Sequence, residues 1–252
     1  MEAANGPAVA FDGVTRHYGD AVALAGVTLT IAPASFVALV GQSGSGKSTL
    51  LKTVNRLIAP SAGTVTIDGT DVAATPAPLL RRRIGYVFQN VGLFPHLTIA
   101  ENIAVPLRLA GRVDSARIAE LLALVDLPPE LARRRPAALS GGQRQRVGVA
   151  RALAADARLL LMDEPFGALD PVTRDELGGA LRRLHDRLGL TTVMVTHDMA
   201  EALLLADRVL VMAAGRIVAD ATPAELMAGR GGAAAQALVA VPREQAERLA
   251  AL

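Results

Sequence analysis

The chain has 252 residues, 51% of them hydrophobic, so it is long enough for one large domain or two small ones with a substantial core. It contains no cysteine and no tryptophan, with only five Phe and two Tyr. This excludes disulfides and thiolate metal sites and argues against a base-stacking surface for nucleic acid. The formal net charge is +2 and dense arginine clusters occur only at 81–83 and 133–135, so we expect no nucleic-acid partner.

Two further features bear on where the protein acts. Residues 1–7 lack the basic and apolar regions of a signal peptide. The chain also has no run of about 18 uncharged apolar residues, the length that a membrane-spanning helix needs. We therefore expect a soluble protein of the cytoplasm.

Short strand-like segments alternate with turn signals over residues 8–40. The predicted strands are Val9–Phe11, Val22–Leu24 and Val27–Ile31, and the predicted turns are Asp12-Gly13 and Gly19-Asp20. We interpret these segments as an antiparallel layer that precedes a nucleotide-binding core. Tyr18 lies in a loop of this layer, where it could stack on adenine or serve only for packing.

The segment from Gly41 to Ser48 fits the phosphate-loop pattern G-x-x-x-x-G-K-[ST] at every fixed position. An apolar run over 36–40 predicts a buried strand before it, and residues 49–58 have helical spacing after it. The glycines let backbone N–H groups approach a phosphate, and the helix adds its positive N-terminal end. Lys47, one of only two lysines in the chain, would lie between the β- and γ-phosphates, and the Ser48 hydroxyl can ligate Mg²⁺.

Two more strands are predicted beyond the phosphate-loop helix, at Thr64–Ile67 and Ile84–Phe88. Gln89 follows the second of them directly. A glutamine at a buried strand end can reach a metal ion or a water through its neutral amide, but it can also be an ordinary loop residue. Both interpretations stay open for Gln89 on this observation alone.

The pattern becomes helical from about residue 90 to 138, where strand signals vanish. Thr98 and Glu101 form a capping-box pattern that predicts a helix start. Ala116–Val125 has apolar residues at helical spacing on one face. We predict a helical insertion between two α/β portions of the chain.

A second anion-binding device is predicted at Ser140-Gly141-Gly142-Gln143, directly before a helix over 144–154. The buried strand over 158–164 then ends in two carboxylates. Asp163 is placed to hold Mg²⁺ through water, and Glu164 to orient or deprotonate an attacking water. The chain therefore has two phosphate-binding devices and one acidic strand end.

A predicted helix over 172–188 leads to one more core strand, Thr192–Thr196, with His197 just beyond its end. Ligands of α/β sheets bind at the carboxyl ends of such strands, which favours function over packing for His197. Asp198 and Glu201 predict a capping box for the next helix, so we expect Asp198 to be structural.

Taken together, these residues resemble the ATP-binding subunits of ABC transporters over about residues 8–228, and Leu139–Gln143 is the most diagnostic stretch. The resemblance implies an α/β fold: a P-loop NTPase core with an antiparallel β subdomain and an inserted helical subdomain, the ABC ATPase fold. We expect an ABC ATPase domain over 1–228. The sequence at 229–252 predicts only a short linker and helix, without the regulatory domain that several similar ATPases carry.

The resemblance also implies residue roles, with ATP and Mg²⁺ as the ligands. Tyr18 would stack on adenine, Gln89 would be the Q-loop glutamine, and His197 would contact the γ-phosphate. Asp170 would belong to the D-loop, in which Gly167 stands where many members have serine. The implied catalytic residues are Glu164, His197, Lys47 and Gln89, and the implied magnesium ligands are Ser48, Gln89 and Asp163. The implied nucleotide contacts are Tyr18, Gly41, Gln42, Ser43, Gly44, Ser45, Gly46, Lys47, Ser48, Thr49, Gln89, Ser140, Gly141, Gly142, Gln143, Asp170 and His197.

Subunits of this family pair head to tail. Each ATP would then lie between the phosphate loop of one copy and Ser140–Gly142 of a second copy or of a paralogous subunit. The resemblance further implies transmembrane permease subunits that hold the protein at the inner face of the cell membrane, and indirectly a substrate-binding protein.

A closer resemblance links the chain to importer ATPases for osmoprotectants such as glycine betaine, choline or carnitine, on the stretches 88–96 and 162–171. Three alternatives stay open. The chain could serve an importer for another small solute, such as an amino acid or a sulfonate. It could be a soluble ABC ATPase of DNA repair or translation, or a nucleotide-gated binding protein that does not turn ATP over.

Overall fold

The computed structural model describes residues 5–250; residues 1–4, on which part of the N-terminal expectation falls, and 251–252 lie outside the described residues. The strands are β1 (Val9–Tyr18), β2 (Ala21–Ile31), β3 (Phe36–Val40), β4 (Ala62–Ile67), β5 (Thr70–Asp71), β6 (Ile84–Val87), β7 (Leu159–Asp163), β8 (Thr191–Val195), β9 (Arg208–Ala213) and β10 (Arg216–Ala221). The α-helices are α1 (Lys47–Val54), α2 (Ala77–Arg81), α3 (Ile99–Leu109), α4 (Ser115–Leu124), α5 (Gly141–Leu153), α6 (Pro171–Leu188), α7 (Met199–Leu205), α8 (Pro223–Met227) and α9 (Gly232–Ala250). Across residues 5–250, no helix has the length and apolar character that spanning a membrane requires.

A six-stranded sheet in the order β10-β9-β3-β8-β7-β6 forms the centre of the molecule. All its neighbouring pairs are parallel except β10 with β9. The carboxyl ends of β3, β8, β7 and β6 therefore lie side by side at one edge. The phosphate loop follows β3, and His197 lies two residues after β8. Strand β7 ends in Asp163, with Glu164 next, and Gln89 lies two residues after β6. The strand before His197, β8, thus lies directly beside the phosphate-loop strand, β3.

The sheet is buried on both faces, as the continuous apolar run of β3 predicts. Successive side chains of a strand point to opposite faces. Phe36, Ala38 and Val40 pack into a core with α3 to α7 and α9, whereas Val37 and Leu39 pack into a second core with α1 and the antiparallel sheet. The two cores hold β3 rigidly and so fix the position of the phosphate loop that follows it.

The predicted antiparallel layer is a four-stranded sheet in the order β2-β1-β4-β5. The turn predicted at Asp12-Gly13 is wrong, because β1 continues through it with a register shift, and Gly13 has φ 60°. A left-handed glycine can insert one extra residue as a bulge without ending the strand. The predicted turn at Gly19-Asp20 is confirmed as the link from β1 to β2. The two segments predicted after it are both part of β2, separated by another left-handed glycine, Gly26.

Between β6 and β7 the described chain is helical, as predicted, and contains α3, α4, α5 and short 3₁₀ turns. The capping box at the start of α3 is confirmed: Thr98 accepts from the backbone N–H of Glu101, and the Glu101 carboxylate accepts from that of Thr98. Helices α3 and α5 pack together and α5 packs on β6, so the insertion is built directly onto the edge of the sheet. Its limits at 90 and 138 stay a prediction.

Candidate active site

The phosphate loop depends on glycine at three positions with left-handed backbone: Gly41 (φ 148°), Gly44 (φ 79°) and Gly46 (φ 104°). A Cβ atom at Gly41 would lie 2.2 Å from the carbonyl oxygen of Met212, and one at Gly46 would lie 2.4 Å from that of Ala23. Helix α1 begins at Lys47, and no side chain in the described part of the chain caps it. Its first backbone N–H groups therefore remain available to an anion.

Lys47 lies inside the loop rather than on its surface, with only 6% of the residue exposed. Its ammonium donates to the carbonyl oxygens of Gly41, over 2.7 Å, and Gln42, over 2.9 Å. Burial lowers the pKa of Lys47, and the nearby carboxylates of Glu164 and Asp163 oppose that shift. The ammonium therefore already lies within the loop, close to Asp163 at the end of β7 and to Glu164, which follows it.

Both oxygens of the Asp163 carboxylate have partners. Oδ1 accepts from the Ser48 hydroxyl over 2.7 Å. Oδ2 lies 3.0 Å from Nζ of Lys52 and accepts from the Tyr86 hydroxyl over 3.3 Å. Burial, followed by the charge of Asp163 and the hydrogen bond to it, raises the pKa of Tyr86, so this hydroxyl remains a donor.

Lys52 and Tyr86 were not identified as site residues from the sequence. Lys52 lies four residues after Ser48 on α1, hence on the same helical face, and this spacing is a signal that could have revealed it. Tyr86 occupies a position in β6 that the local pattern does not distinguish from other strand residues.

The predicted magnesium ligands are brought together only in part. Ser48 and Asp163 meet directly and supply the hydroxyl and carboxylate oxygens that Mg²⁺ prefers, so these two residues fit the ion. Gln89 is exposed and its amide nitrogen bonds to Glu164. Magnesium ligation by Gln89 therefore remains a prediction.

Three predicted catalytic residues meet at the ends of adjacent strands. Oε2 of Glu164 accepts from Nε2 of Gln89 over 3.0 Å and lies 3.3 Å from Nδ1 of His197. Glu164 itself has φ 48°, a left-handed conformation that is uncommon for a residue other than glycine. Such strained backbone concentrates at functional sites, where the surrounding structure holds it in place. The arrangement points the carboxylate of Glu164 at two polar side chains from different strands.

The capping box predicted for Asp198 and Glu201 is only half right. The Asp198 carboxylate caps α7 by accepting from the backbone N–H groups of Ala200 and Glu201. Glu201 does not bond back to the Asp198 backbone. The Thr196 hydroxyl lies between them: it accepts from the Asp198 N–H over 3.0 Å and donates to Glu201 over 2.6 Å. Burial, the largest cause, raises the pKa of Glu201.

Arg174 completes this cluster from α6, with contacts of 3.4 Å to Asp198 and 3.5 Å to Glu201. The short turn that carries His197 is thus held on both sides by hydrogen-bonded groups. Sequence reasoning missed Arg174 and Thr196 because no local spacing pattern links α6 to the turn after β8.

Ser140 lies at the N-terminus of α5 as predicted, but the helix begins at Gly141 rather than at 144, and anion binding there stays a prediction. The Ser140 hydroxyl caps the helix by accepting from the Gln143 N–H over 3.2 Å, and Oε1 of Gln143 accepts from the Ser140 N–H over 3.0 Å. Asp170 caps α6 through the Thr173 N–H, and this backbone bond lowers the pKa of Asp170. Within residues 5–250, no hydrogen bond or ion pair joins Ser140–Gln143 to the phosphate loop.

Tyr18 is the last residue of β1 and is 47% exposed, which is inconsistent with a role in core packing. The Arg16 guanidinium lies 4.6 Å from the centroid of its ring. Cation–π contacts of this kind hold an aromatic ring in place while leaving its other face available. Adenine stacking by Tyr18 remains a prediction.

Comparison with known proteins shows the same organisation elsewhere. A family model described as ABC transporter matches residues 24–167. The choline transport ATP-binding protein OpuBA of Bacillus subtilis is 50% identical over 220 residues, which are 86% of this chain and 58% of that protein. The sulfate/thiosulfate import ATP-binding protein CysA of Mycobacterium bovis is 50% identical over 215 residues, 84% of this chain and 60% of that protein. The chain thus spans less than two thirds of either relative.

A solved structure described as the dimeric structure of MJ0796, a bacterial ABC transporter cassette, superposes with a TM-score of 0.77 at 35% identity. The match covers 85% of this chain and 98% of that one. It confirms the predicted fold, in which an antiparallel sheet and a helical insertion flank a phosphate-loop core.

Proposed function

Because the chain belongs to the ABC transporter family, we propose that it is the ATP-hydrolysing subunit of an importer and that it works as a head-to-tail pair. The observation that carries this proposal is the meeting of Gln89, Glu164 and His197 at the sheet edge that also holds the phosphate loop. A phosphate-binding loop beside a water-directing carboxylate is the arrangement that phosphoryl transfer to water requires.

The chemistry is assigned to side chains as follows. The phosphate loop and Lys47 bind the β- and γ-phosphates, and a magnesium ion at Ser48 and Asp163 would neutralise developing phosphate charge. Gln89 and His197 both contact Oε2 of the Glu164 carboxylate, and no hydrogen bond to Oε1 occurs in the described residues. Oε1 is therefore positioned to accept a proton from an attacking water, while Gln89 and His197 hold the carboxylate in place.

The pairing of two copies follows from the separation of the two anion-binding devices. Ser140 and the phosphate loop belong to one chain but share no hydrogen bond in residues 5–250, so one chain alone does not unite them. We assign each ATP to the phosphate loop of one copy and to Ser140–Gly142 of the other copy, or of a paralogous subunit. The likeness to a structure described as dimeric supports this assignment.

A groove of about 620 Å³ beside Gln89 supports a permease partner. Its walls include Phe88, Phe94 and Leu109, which are 46%, 43% and 59% exposed, and its rim includes Arg81 and Arg82. Exposed apolar patches rimmed by charge mark protein–protein contacts. We assign this groove to a permease segment, because the loop that carries Gln89 forms part of the groove wall and Gln89 itself contacts Glu164. The protein would then lie at the inner face of the membrane without crossing it.

For the solute we propose a quaternary ammonium osmoprotectant, which the likeness to a choline transport protein supports. The equal identity to a sulfate/thiosulfate import protein keeps another small solute as the second candidate. A quaternary ammonium is held by an aromatic cage, and this chain, with five Phe and two Tyr, is too poor in aromatic residues to supply one. Selectivity is therefore assigned to a partner, and uptake of choline against sulfate by the assembled transporter decides between the two.

The proposal is tested by the concentration dependence of ATP hydrolysis. If two copies form each site, the specific rate of the purified protein should rise with protein concentration and level off once the pair is complete. A specific rate that stays maximal under dilution to a monomer, verified by light scattering, would contradict the paired site. If the purified protein does not bind ATP at all, the assignment of the phosphate loop as a nucleotide site is wrong.

A further inference from the structure

Arg151, near the end of α5, directs its charged group at backbone carbonyls. The residue is 8% exposed, and burial lowers the pKa of its guanidinium. Nη1 donates to the carbonyl oxygen of Gly92 over 2.7 Å, and Nη2 donates to that of Val91. Within residues 5–250 it forms no ion pair with a carboxylate. Burying a cation is costly unless hydrogen bonds compensate, and here both bonds go to one loop. This loop, residues 88–94, is here named the Gln89 loop.

Gly148, one turn earlier on α5, contacts the same loop through Val91. A Cβ atom at Gly148 would lie 2.7 Å from Cγ1 of Val91. Val91 has φ 52°, which is a genuine outlier for a β-branched residue, and glycine is a poor residue for a helix interior. Two locally unfavourable residues therefore meet at one contact. Such conflicts between local preference and structure are expected where function constrains the chain.

Helix α3 also holds the Gln89 loop, at Phe94. Asn102 is fully buried; its Oδ1 accepts from the Phe94 N–H over 2.8 Å, and its amide nitrogen donates to the Phe94 carbonyl over 3.1 Å. The loop is thus held by hydrogen bonds from both α3 and α5. At one end of this assembly Gln89 contacts Glu164, and at the other end Ser140 begins α5.

We propose that Arg151 and Gly148 are positioning residues that hold the Gln89 loop on α5, so that Gln89 and the Ser140 tip of α5 move as one body. The inference rests on the proposed function, because it assigns the two ends of this body to opposite nucleotide sites of the pair. A shift of Gln89 at one site then changes the angle at which Ser140 is presented to the other copy. Arg151 reaches neither site and acts only through the loop.

The decisive test is a reciprocal pair of substitutions. Gly148→Ala adds a Cβ that clashes with Val91, and Val91→Gly removes both that side chain and the strained backbone. Gly179→Ala is the matched control, since it too adds a methyl to a helix interior. There, within residues 5–250, the nearest atom outside the helix backbone is the flexible end of the Arg183 side chain, at 3.4 Å. All variants are made in the Glu164→Gln background, and two constants are measured: ATP binding to the monomer and ATP-driven pairing by analytical ultracentrifugation.

We expect Gly148→Ala to weaken ATP-driven pairing roughly tenfold, while ATP binding to the monomer stays within about twofold of the parent. Adding Val91→Gly should restore pairing, and Gly179→Ala should leave it unchanged. Arg151→Lys should weaken pairing to an intermediate degree, because an ammonium cannot reproduce the planar fork that reaches two carbonyls. A purely structural role would lower both constants together, so unchanged ATP binding beside weakened pairing is the result that identifies a positioning role.

Each other outcome counts against the inference. Normal pairing in Gly148→Ala overturns it, and so does a defect that Val91→Gly fails to repair. Amide hydrogen exchange over residues 90–94 gives an independent reading in the nucleotide-free protein, where Gly148→Ala and Arg151→Lys should exchange faster. If the parent does not pair with ATP, the proposed function fails instead, and unchanged exchange over 90–94 would then overturn the role of Arg151 separately.

Discussion

The ammonium of Lys52 lies 3.0 Å from Oδ2 of Asp163, and this ion pair joins the second turn of α1 to the end of β7. The side chain of Asp163 is 9% exposed and that of Lys52 is 33% exposed. Lys52 thus contacts Oδ2 of the Asp163 carboxylate, while the Ser48 hydroxyl contacts Oδ1. The two elements that carry the phosphate loop and the acidic strand end are thus connected within the nucleotide-free chain.

Lys52→Met should therefore destabilise the protein, because the buried carboxylate keeps only its hydroxyl donors. Removing one partner of a fully buried ion pair costs about 3–5 kcal/mol, and the partial exposure of Lys52 reduces our expectation to about 1–3 kcal/mol. Urea unfolding measures the change, with Lys52→Arg as the charge-preserving control. A midpoint for Lys52→Met equal to that of the parent would show that the ion pair does not stabilise the fold.

Glu164→Gln should produce a protein that binds ATP and pairs but hardly hydrolyses it. The amide keeps the shape of the side chain but cannot accept a proton from water, so we expect the turnover rate to fall by about 10²–10⁴-fold. Phosphate release and sedimentation measure the two properties. Glu176→Gln, an exposed glutamate of α6, is the matched control. Unchanged hydrolysis in Glu164→Gln would remove Glu164 from its catalytic role.

Lys47→Ala should abolish detectable nucleotide binding. The ammonium is held inside the loop by two carbonyl oxygens, and its loss removes the main positive charge beside the β- and γ-phosphates. Isothermal titration calorimetry with ATP measures binding, and circular dichroism verifies that the variant is folded. A dissociation constant equal to that of the parent would contradict the assignment of the loop.

The sequence reveals which strands end in polar residues, because the phosphate-loop pattern and the apolar runs each lie within one short segment of the chain. It cannot reveal Lys52 with Asp163, Arg174 with Glu201, or Arg151 with Val91, because each pair comes from distant segments whose contact depends on tertiary packing. The turn predicted at Asp12-Gly13 failed for a related reason. A glycine in a β-bulge has the same left-handed preference as one in a turn, and only strand pairing distinguishes the two.

Glu201→Gln should change how stability depends on pH. Burial raises the pKa of Glu201 in the folded protein, so folding favours its protonated form. Between the ordinary glutamate pKa and the raised pKa of the folded protein, the native state binds more protons than the unfolded state. The free energy of unfolding therefore falls as pH rises through this range. A neutral amide avoids that loss, so the stability of Glu201→Gln relative to the parent should increase from pH 4 to pH 8.

Urea unfolding of both proteins at several pH values measures this difference, and Glu176→Gln provides an exposed control. A stability difference that does not vary with pH, or that declines toward pH 8, would mean that the Arg174 and Thr196 contacts fully offset the burial of the Glu201 carboxylate.

Leu109→Asp should separate hydrolysis from attachment to a permease. Leu109 is 59% exposed in the groove beside Gln89, and its loss removes apolar contact area and buries a charge in any complex formed there. We expect at least about tenfold weaker co-purification with the permease, in line with an interface residue whose loss costs more than about 1.4 kcal/mol, and unchanged ATP hydrolysis by the free protein. Leu204→Asp is the control, because Leu204 is 73% exposed on α7, outside that groove. Equal co-purification of both variants would contradict the groove as the docking surface, whereas a selective defect in Leu109→Asp would link permease binding to the surface that adjoins Gln89.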